Sequence, residues 1–291
     1  VKRGLFVGLT TLDFIYLAAQ PPGPNQKLVA SDYTVSAGGP ATNAAVAFQH
    51  LGNQAVLLSS VGNQAITQLI RADLQQCSID LVDLTPDRPD PPPVSSIIVT
   101  EQTGERSVIS INAVKTQATE VPTHCLQSVD IVLIDGHQMQ VGQTISAQAR
   151  AQGIPVVIDG GSWKPGFETV LVLTDYAICS ANFHPPGCHS ESDTIAFLTD
   201  LKIPHIAITH GEKPIFYQTV DGKGEIAVPQ VQAIDTLGAG DIFHGAFCHA
   251  ILQQEFPAAL ATAAQVAANS CRFFGTRRWL VEGRSGDRLL T

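Results

Sequence analysis

Asp241 is the residue whose setting most clearly implies chemistry. It stands in the stretch 234–250, IDTLGAGDIFHGAFCHA, directly after a Gly238-Ala239-Gly240 turn. Ile242, Phe243, Ala246, Phe247, Ala250 and Ile251 then recur at the spacing of one buried helix face. Glycines ahead of a helix let a ligand approach the backbone closely, and the first helical N–H groups have no intrahelical partner. Those groups carry partial positive charge and suit an anion, most naturally a phosphate. A carboxylate at the same point would repel phosphate, so it needs another purpose. Taking the proton from a hydroxyl that attacks the phosphate is such a purpose. An acidic residue at a Gly-rich helix start is also ordinary capping chemistry, and these residues alone leave both readings open.

Two further places invite a functional reading. Asp13 follows the short apolar run 4–10, which suits a buried strand, and would face a crevice beyond that strand's carboxyl end or else serve in a turn. Gly38-Gly39-Pro40 precedes a helix-favouring run over 41–51, with Asn43 in its first turn, so the backbone there is open to close approach. A phosphate ligand would have to be held locally. The chain carries 17 basic and 26 acidic residues, a formal net charge of −9, and no Lys/Arg block. That balance argues against a nucleic-acid or anionic-membrane surface. The six cysteines form no CxxC pair and match neither a zinc site nor a small disulfide framework. The residues before Asp13 read as neither a signal peptide nor a membrane span, and a reducing cytoplasm is the expected setting.

The elements that must position these residues follow a strand–helix rhythm. Apolar strand candidates at 131–134, 156–158, 176–179 and 206–209 alternate with helical segments such as 143–152 and 193–201. That pattern indicates a parallel sheet covered on both faces. Residues 94–100 and 107–111 flank a Thr103-Gly104 turn and, with 27–36, predict a separate small antiparallel sheet. The Pro-rich stretch 87–93 is a stiff connector, 215–218 and 225–228 form a terminal hairpin, and 231–234 read as a strand end before the Asp241 turn. An Ala-rich helix over 257–274 packs behind that turn.

Asp235-Thr236-Leu237-Gly238-Ala239-Gly240-Asp241, with Phe243 and Gly245, resembles the C-terminal signature of the ribokinase-like (PfkB) carbohydrate kinases. Gly38-Gly39-Pro40-Ala41-Thr42-Asn43 resembles the family's N-terminal motif, and the run from Gly8 to Asp13 its opening strand and sugar-contacting aspartate. In wording these motifs look most similar to the ketohexose and sulfofructose kinase branch. The resemblance implies one domain over 1–291 with a doubly wound, mostly parallel α/β sheet. A small β-sheet lid would be inserted from roughly 14–37 and 94–112. It implies phosphoryl transfer from ATP to a sugar hydroxyl with Mg2+, and a homodimer formed through the lid sheet. Asp241 would be the catalytic base, and the amides of Gly238, Ala239 and Gly240 the anion hole. Asp13, Gly38, Gly39 and Asn43, with Asn112 and His137 on the lid side, would bind the sugar. Ser180, Thr209, Gly211 and Asn269 would face the nucleotide, and Asp235 a monovalent cation such as K+.

One departure stands out. Many members carry an Asn-x-x-Glu motif whose glutamate organises Mg2+; the matching residues here are Ser180-Ala181-Asn182-Phe183, without an acidic side chain. His184, Cys188 and His189 lie close together nearby and read as a Pro-rich surface loop rather than a metal cluster. His137 lies where sulfofructose kinases use an arginine, and neutral imidazole is the weaker anion holder, which favours a neutral ketose or pentose over a sulfonated sugar. Two other classes of function bear on the same residues. A sugar- or nucleotide-binding regulator on a kinase fold accommodates the missing glutamate. A dinucleotide-binding oxidoreductase fits poorly, because Gly238-x-Gly240 lacks the third glycine of that fingerprint.

Overall fold

The computed structural model describes residues 1–111 and 117–282. Its main sheet has nine strands, the central ones buried on both faces, as their unbroken apolar runs require. β1 (Arg3–Val7) pairs in parallel with β4 (Gln54–Ser59) on one side and β8 (Ile131–Ile134) on the other. Beyond β4 lies β5 (Asp80–Asp83); beyond β8 come β9 (Val156–Gly160), β10 (Tyr176–Ser180) and β11 (His205–His210), all parallel. An antiparallel hairpin of β12 (Lys213–Thr219) and β13 (Lys223–Ile226) closes that edge. Winding runs outward from β1 in one direction and from β8 in the other. Such a reversal leaves a crevice beyond the strands' carboxyl ends.

Helices cover both faces. α1 (Pro40–His50), α2 (Thr67–Gln76), α6 (Ala239–Ile251) and α7 (Phe256–Ser270) share one core, while α3 (Met139–Ala151), α4 (Phe167–Leu171) and α5 (Glu191–Asp200) share the other. Within β1, Phe6 enters the first core, and Leu5 and Val7 the second, because successive strand residues point to opposite faces.

The small sheet has the order β3 (Asp32–Gly38), β2 (Thr11–Ala18), β6 (Val94–Thr100), β7 (Arg106–Ser110). Its register aligns Asp13 with Ser36 and Ser95, and Ser95 with Ser110. These four residues therefore form one polar row on one face. Further along that face Ile15, Ile97 and Val99 pack on Phe274 and Leu237, which fixes it toward the main body. Tyr16, Tyr33 and Ile109, on the opposite face by alternation, are exposed.

Two expectations need correction. Residues 231–234 form no strand: Ile234 is 44 % exposed, and its amide donates instead to the Cys271 carbonyl. Pro229 removes a ladder donor just upstream. Residues 27–31, expected to open a strand, are irregular, and pairing in β3 begins only at Asp32. No helix among the described residues is long and apolar enough to cross a membrane.

Candidate active site

α6 begins where Gly238 adopts a left-handed φ of 71° and its carbonyl accepts from the Ile242 N–H at 2.8 Å. A side chain would strain that conformation, which is why glycine ends the turn. The N–H groups of Gly238 and Gly240 have no partner among the described residues, whereas Ala239 donates to the Thr236 carbonyl at 3.3 Å. The expected anion hole thus opens with two free amides and a third engaged in the turn.

Asp241 Oδ2 accepts from Asn43 Nδ2 at 2.8 Å, joining the two sequence motifs directly. Burial pushes the Asp241 carboxyl up to about 7, and the like charges of Asp159 and Asp135 add to the rise. Asn43 and His244 oppose it. One turn along α6, buried His244 places Nδ1 2.7 Å from the Gly240 carbonyl and Nε2 3.1 Å from the Ile178 carbonyl of β10. Asp159, at the end of β9, lies 3.5 Å from His244 Nδ1. Its Oδ2 is buried and accepts no hydrogen bond among the described residues.

On the small-sheet side, Asp13 is buried in β2 rather than on the loop after β1, and Thr11 Oγ1 donates to its Oδ1 at 2.7 Å. Burial raises its pKa against the donors Thr11 and Ser95 and the charge of Arg277. Gly38 must lack a side chain, since a Cβ there would lie 1.8 Å from Asp13 Oδ2. Gly39, at φ 100°, would meet the Leu9 carbonyl at 2.3 Å. The paired glycines therefore let the end of β3 lie directly on Asp13 and the start of α1 on the Leu9 carbonyl. Below them, Asp135 Oδ2 accepts from the amides of Leu9 (2.9 Å) and Ala41 (3.1 Å). His137 sits on the same carboxylate, its amide 2.9 Å and its Nδ1 3.1 Å from Oδ1, so its ring is tied to Asp135. Burial alone would raise the Asp135 pKa, but His137, the Leu9 amide and Lys164 prevail and hold it at about 2. Asn112 lies outside the described residues.

Ser180, Thr209 and Gly211 come together with Ala181, Asn182, His210 and Lys213 around a cleft of about 300 Å³ at the ends of β10 and β11. Lys213 gives this cleft a cation. Asn269, in the last turn of α7, does not line it. Phe183, where the family's glutamate would fall, is buried in a ring cluster with Trp163 and Phe167. His184 and His189 are exposed, and no three His, Cys, Asp or Glu among the described residues could together hold a metal. Asp235 is buried, its oxygens accepting from the amides of Leu237 (2.8 Å) and Gly275 (2.9 Å).

The residues that sequence reasoning missed are Asp135, Asp159, Arg277 and the serines of the polar row. The first two had a signal: each closes an apolar strand as Ile-Asp-Gly, at 134–136 and 158–160. Arg277, whose Nη1 donates to Asn43 Oδ1 at 3.1 Å, had none, because Asn43, Ala37 and Asp73 lie far away in the chain.

Comparison with known proteins extends the pattern to the whole chain. The model of the pfkB family carbohydrate kinases matches residues 2–281. The chain is 23 % identical over 300 residues to the ribokinase of Bacillus subtilis, with 98 % of each covered. It is 24 % identical over 295 residues to the deoxyribokinase of Salmonella typhi, with 93 % of each covered. A candidate ribokinase from Agrobacterium tumefaciens has the same fold, with a TM-score of 0.83 at 26 % identity over 94 % of this chain and 92 % of that one. The ribokinase of Arabidopsis thaliana complexed with ribose and ATP shares it at a TM-score of 0.76 and 19 % identity, over 94 % and 93 %. A match of that extent, in a chain whose two motifs meet at one hydrogen bond, makes this protein a member of the pfkB family of carbohydrate kinases.

Proposed function

We propose that the enzyme transfers the terminal phosphoryl group of ATP to a hydroxyl of a neutral sugar, a pentose or ketose, with Asp241 as the base. The observation that carries this reading is the 2.8 Å hydrogen bond by which Asn43, at the start of α1, meets Asp241 beside the free amides of the α6 turn; Thr276, 3.3 Å from Ser36 of the Asp13 row, packs against the same turn. Hydroxyls and a carboxylate suit a polyhydroxyl ligand, and Asp13 would repel an anionic one. Two relatives are named for ribose and deoxyribose, which supports a pentose. A base poised at about 7 can accept a proton from a bound hydroxyl and be ready again at neutral pH. Gly238 and Gly240 would donate to the oxygens of the transferring group, Gly39 and Asn43 would position the sugar, and Ser180, Thr209, Gly211 and Lys213 would face the nucleotide. Asn269, outside the cleft those residues line, would lie beside the nucleotide's base, and Asn112 would bind the sugar, in this proposal.

Kinases of this family use ATP with a divalent metal. Asp159 fits that requirement: a buried carboxylate oxygen with no donor among the described residues, beside a second carboxylate whose proton affinity it raises, is a place that wants positive charge. It would take over from the family's glutamate, whose position the buried Phe183 has converted to core. A bound Mg2+ would neutralise phosphate charge and lower the Asp241 pKa. A monovalent cation such as K+ is proposed beside Asp235, whose oxygens each keep a lone pair beyond the amides of Leu237 and Gly275.

ADP release across a panel of sugars tests the reading. Pentoses or ketoses should support turnover in Mg2+ and K+, and Asp241→Asn should abolish it. Turnover only with a sulfonated or phosphorylated sugar would overturn the substrate class, and equal rates for both proteins would overturn the base. The exposed face carrying Tyr16, Tyr33 and Ile109 is proposed to pair with a second copy. Light scattering should then give a dimer that Ile109→Glu converts to monomer; an unchanged mass for that variant would refute the pairing.

A further inference from the structure

Arg277 lies between α7 and α8 (Trp279–Glu282), outside the motifs, yet it reaches the base through a single side chain. Its side chain is 16 % exposed, and every nitrogen is engaged. Nε and Nη2 donate to Asp73 Oδ2 at 3.3 and 3.1 Å, and Nη2 donates to the Ala37 carbonyl at 2.6 Å. Nη1 donates to the Thr276 carbonyl (3.2 Å), the Thr276 hydroxyl (3.1 Å) and Asn43 Oδ1 (3.1 Å). Asp73, on α2, also accepts from the Ala37 amide at 3.0 Å, so the fork is braced from two sides.

We infer that Arg277, braced by Asp73, is a positioning residue for phosphoryl transfer that fixes the Asn43 amide with its NH2 toward Asp241. A carboxamide has an acceptor end and a donor end and can present either after half a turn. A guanidinium has donors only, so the oxygen of Asn43 must face Arg277 and its NH2 must face the base. Without that constraint the amide is free to turn its oxygen to Asp241, and the carboxylate loses the donor that aims it. Misdirection of a reacting group by a fraction of an ångström is costly in rate. Lysine could not serve as well, since the role uses several fixed donors at once. The charge of Arg277 is matched by Asp73 at 3.1 Å, so the guanidinium acts here as a fork rather than as an anion receptor.

This inference rests on Asp241 being the base, and the test separates the two. Single-turnover rates and KM values are compared for the wild type, Asp241→Asn, Arg277→Met, Asn43→Ala and the Arg277→Met/Asn43→Ala pair. Arg277→Met should slow phosphoryl transfer about 10- to 100-fold with the KM for ATP changed by less than about 2-fold. Added to Asn43→Ala, it should cost less than about 3-fold more, because its effect passes through Asn43. An equal loss in both backgrounds, or no loss in either, overturns the positioning role. Should Arg277→Met give no cooperative melt, Asp73→Asn, which keeps the guanidinium but removes its brace, takes its place with the same expectations and the same overturning results. Undiminished turnover in Asp241→Asn refutes the base itself, whatever the Arg277 variants do.

Discussion

The buried Asp241 carboxylate costs the fold stability, and its proposed role as base would account for that cost. In the unfolded chain it ionises near 3.8; in the fold, burial and its carboxylate neighbours raise that to about 7. A raised carboxylate pKa means that the unfolded chain releases the proton first as pH rises, so stability from this group falls between those values and the full cost applies above them. Asp241→Asn removes the cost. We expect its Tm to exceed that of the wild type by a few degrees at about pH 8, and the gain to vanish at about pH 4. Its turnover should fall by at least about 100-fold. Differential scanning fluorimetry beside the ADP assay checks both, and a lower Tm at the higher pH would contradict the account of a buried, repelled carboxylate.

At the scale of elements, the site depends on how closely α1 and α6 cross. Gly245 faces α1 so closely that a Cβ would lie 2.1 Å from the Ala44 carbonyl and 2.8 Å from the Ala47 Cβ. Neither backbone can yield without moving its helix, and these helices carry Asn43 and Asp241. Gly245→Ala should therefore cost about 1–3 kcal/mol in denaturant melts. It should also lower kcat more than it raises KM, because the 2.8 Å Asn43–Asp241 contact opens. A stable variant of full activity would show that the helices have room to spare. The small sheet is fastened by the segment after α7: Arg278 pairs with Asp32 at 2.6 Å, and Thr276 lies 3.3 Å from Ser36. At its other edge Arg106 of β7 donates to the Thr236 carbonyl and hydroxyl, beside the α6 turn. One sheet thus carries the Asp13 row and touches the α6 turn.

Across the whole molecule, Asp135 holds the crevice together. It joins the end of β8 to the loop after β1 and the start of α1, at the point where the sheet's winding reverses. Its pKa is depressed from 3.8 to about 2, so its contribution is present above the unfolded value and is lost as pH falls through the folded one. A depression of that size corresponds to about 2 kcal/mol. Unfolding free energy should drop over that acid range in the wild type, and Asp135→Asn should be weaker by about that amount at neutral pH and flatter below about pH 4. Chemical denaturation across a pH series reads this directly, and parallel curves for the two proteins would rule it out.

The sequence by itself determined the parallel sheet, its helices and the two motifs, because each rests on local patterning: apolar runs, helical spacing and glycines before helix starts. It placed Asp241 at a helix N-terminus and Asn43 in the first turn of another, and both lie there. It misjudged residues 231–234, where Pro229 upstream and the bond of the Ile234 amide to the Cys271 carbonyl outweigh three apolar side chains. Tertiary structure alone decided that Asn43 donates to Asp241, that Arg277 holds Asn43, that serines from three strands align with Asp13, and that Asp159 keeps a buried oxygen with no donor among the described residues. Those facts depend on which distant segments share a hydrogen-bonding distance or a strand register, and on what burial does to a charge. No local pattern carries that information, since it is set by the path of the chain through space.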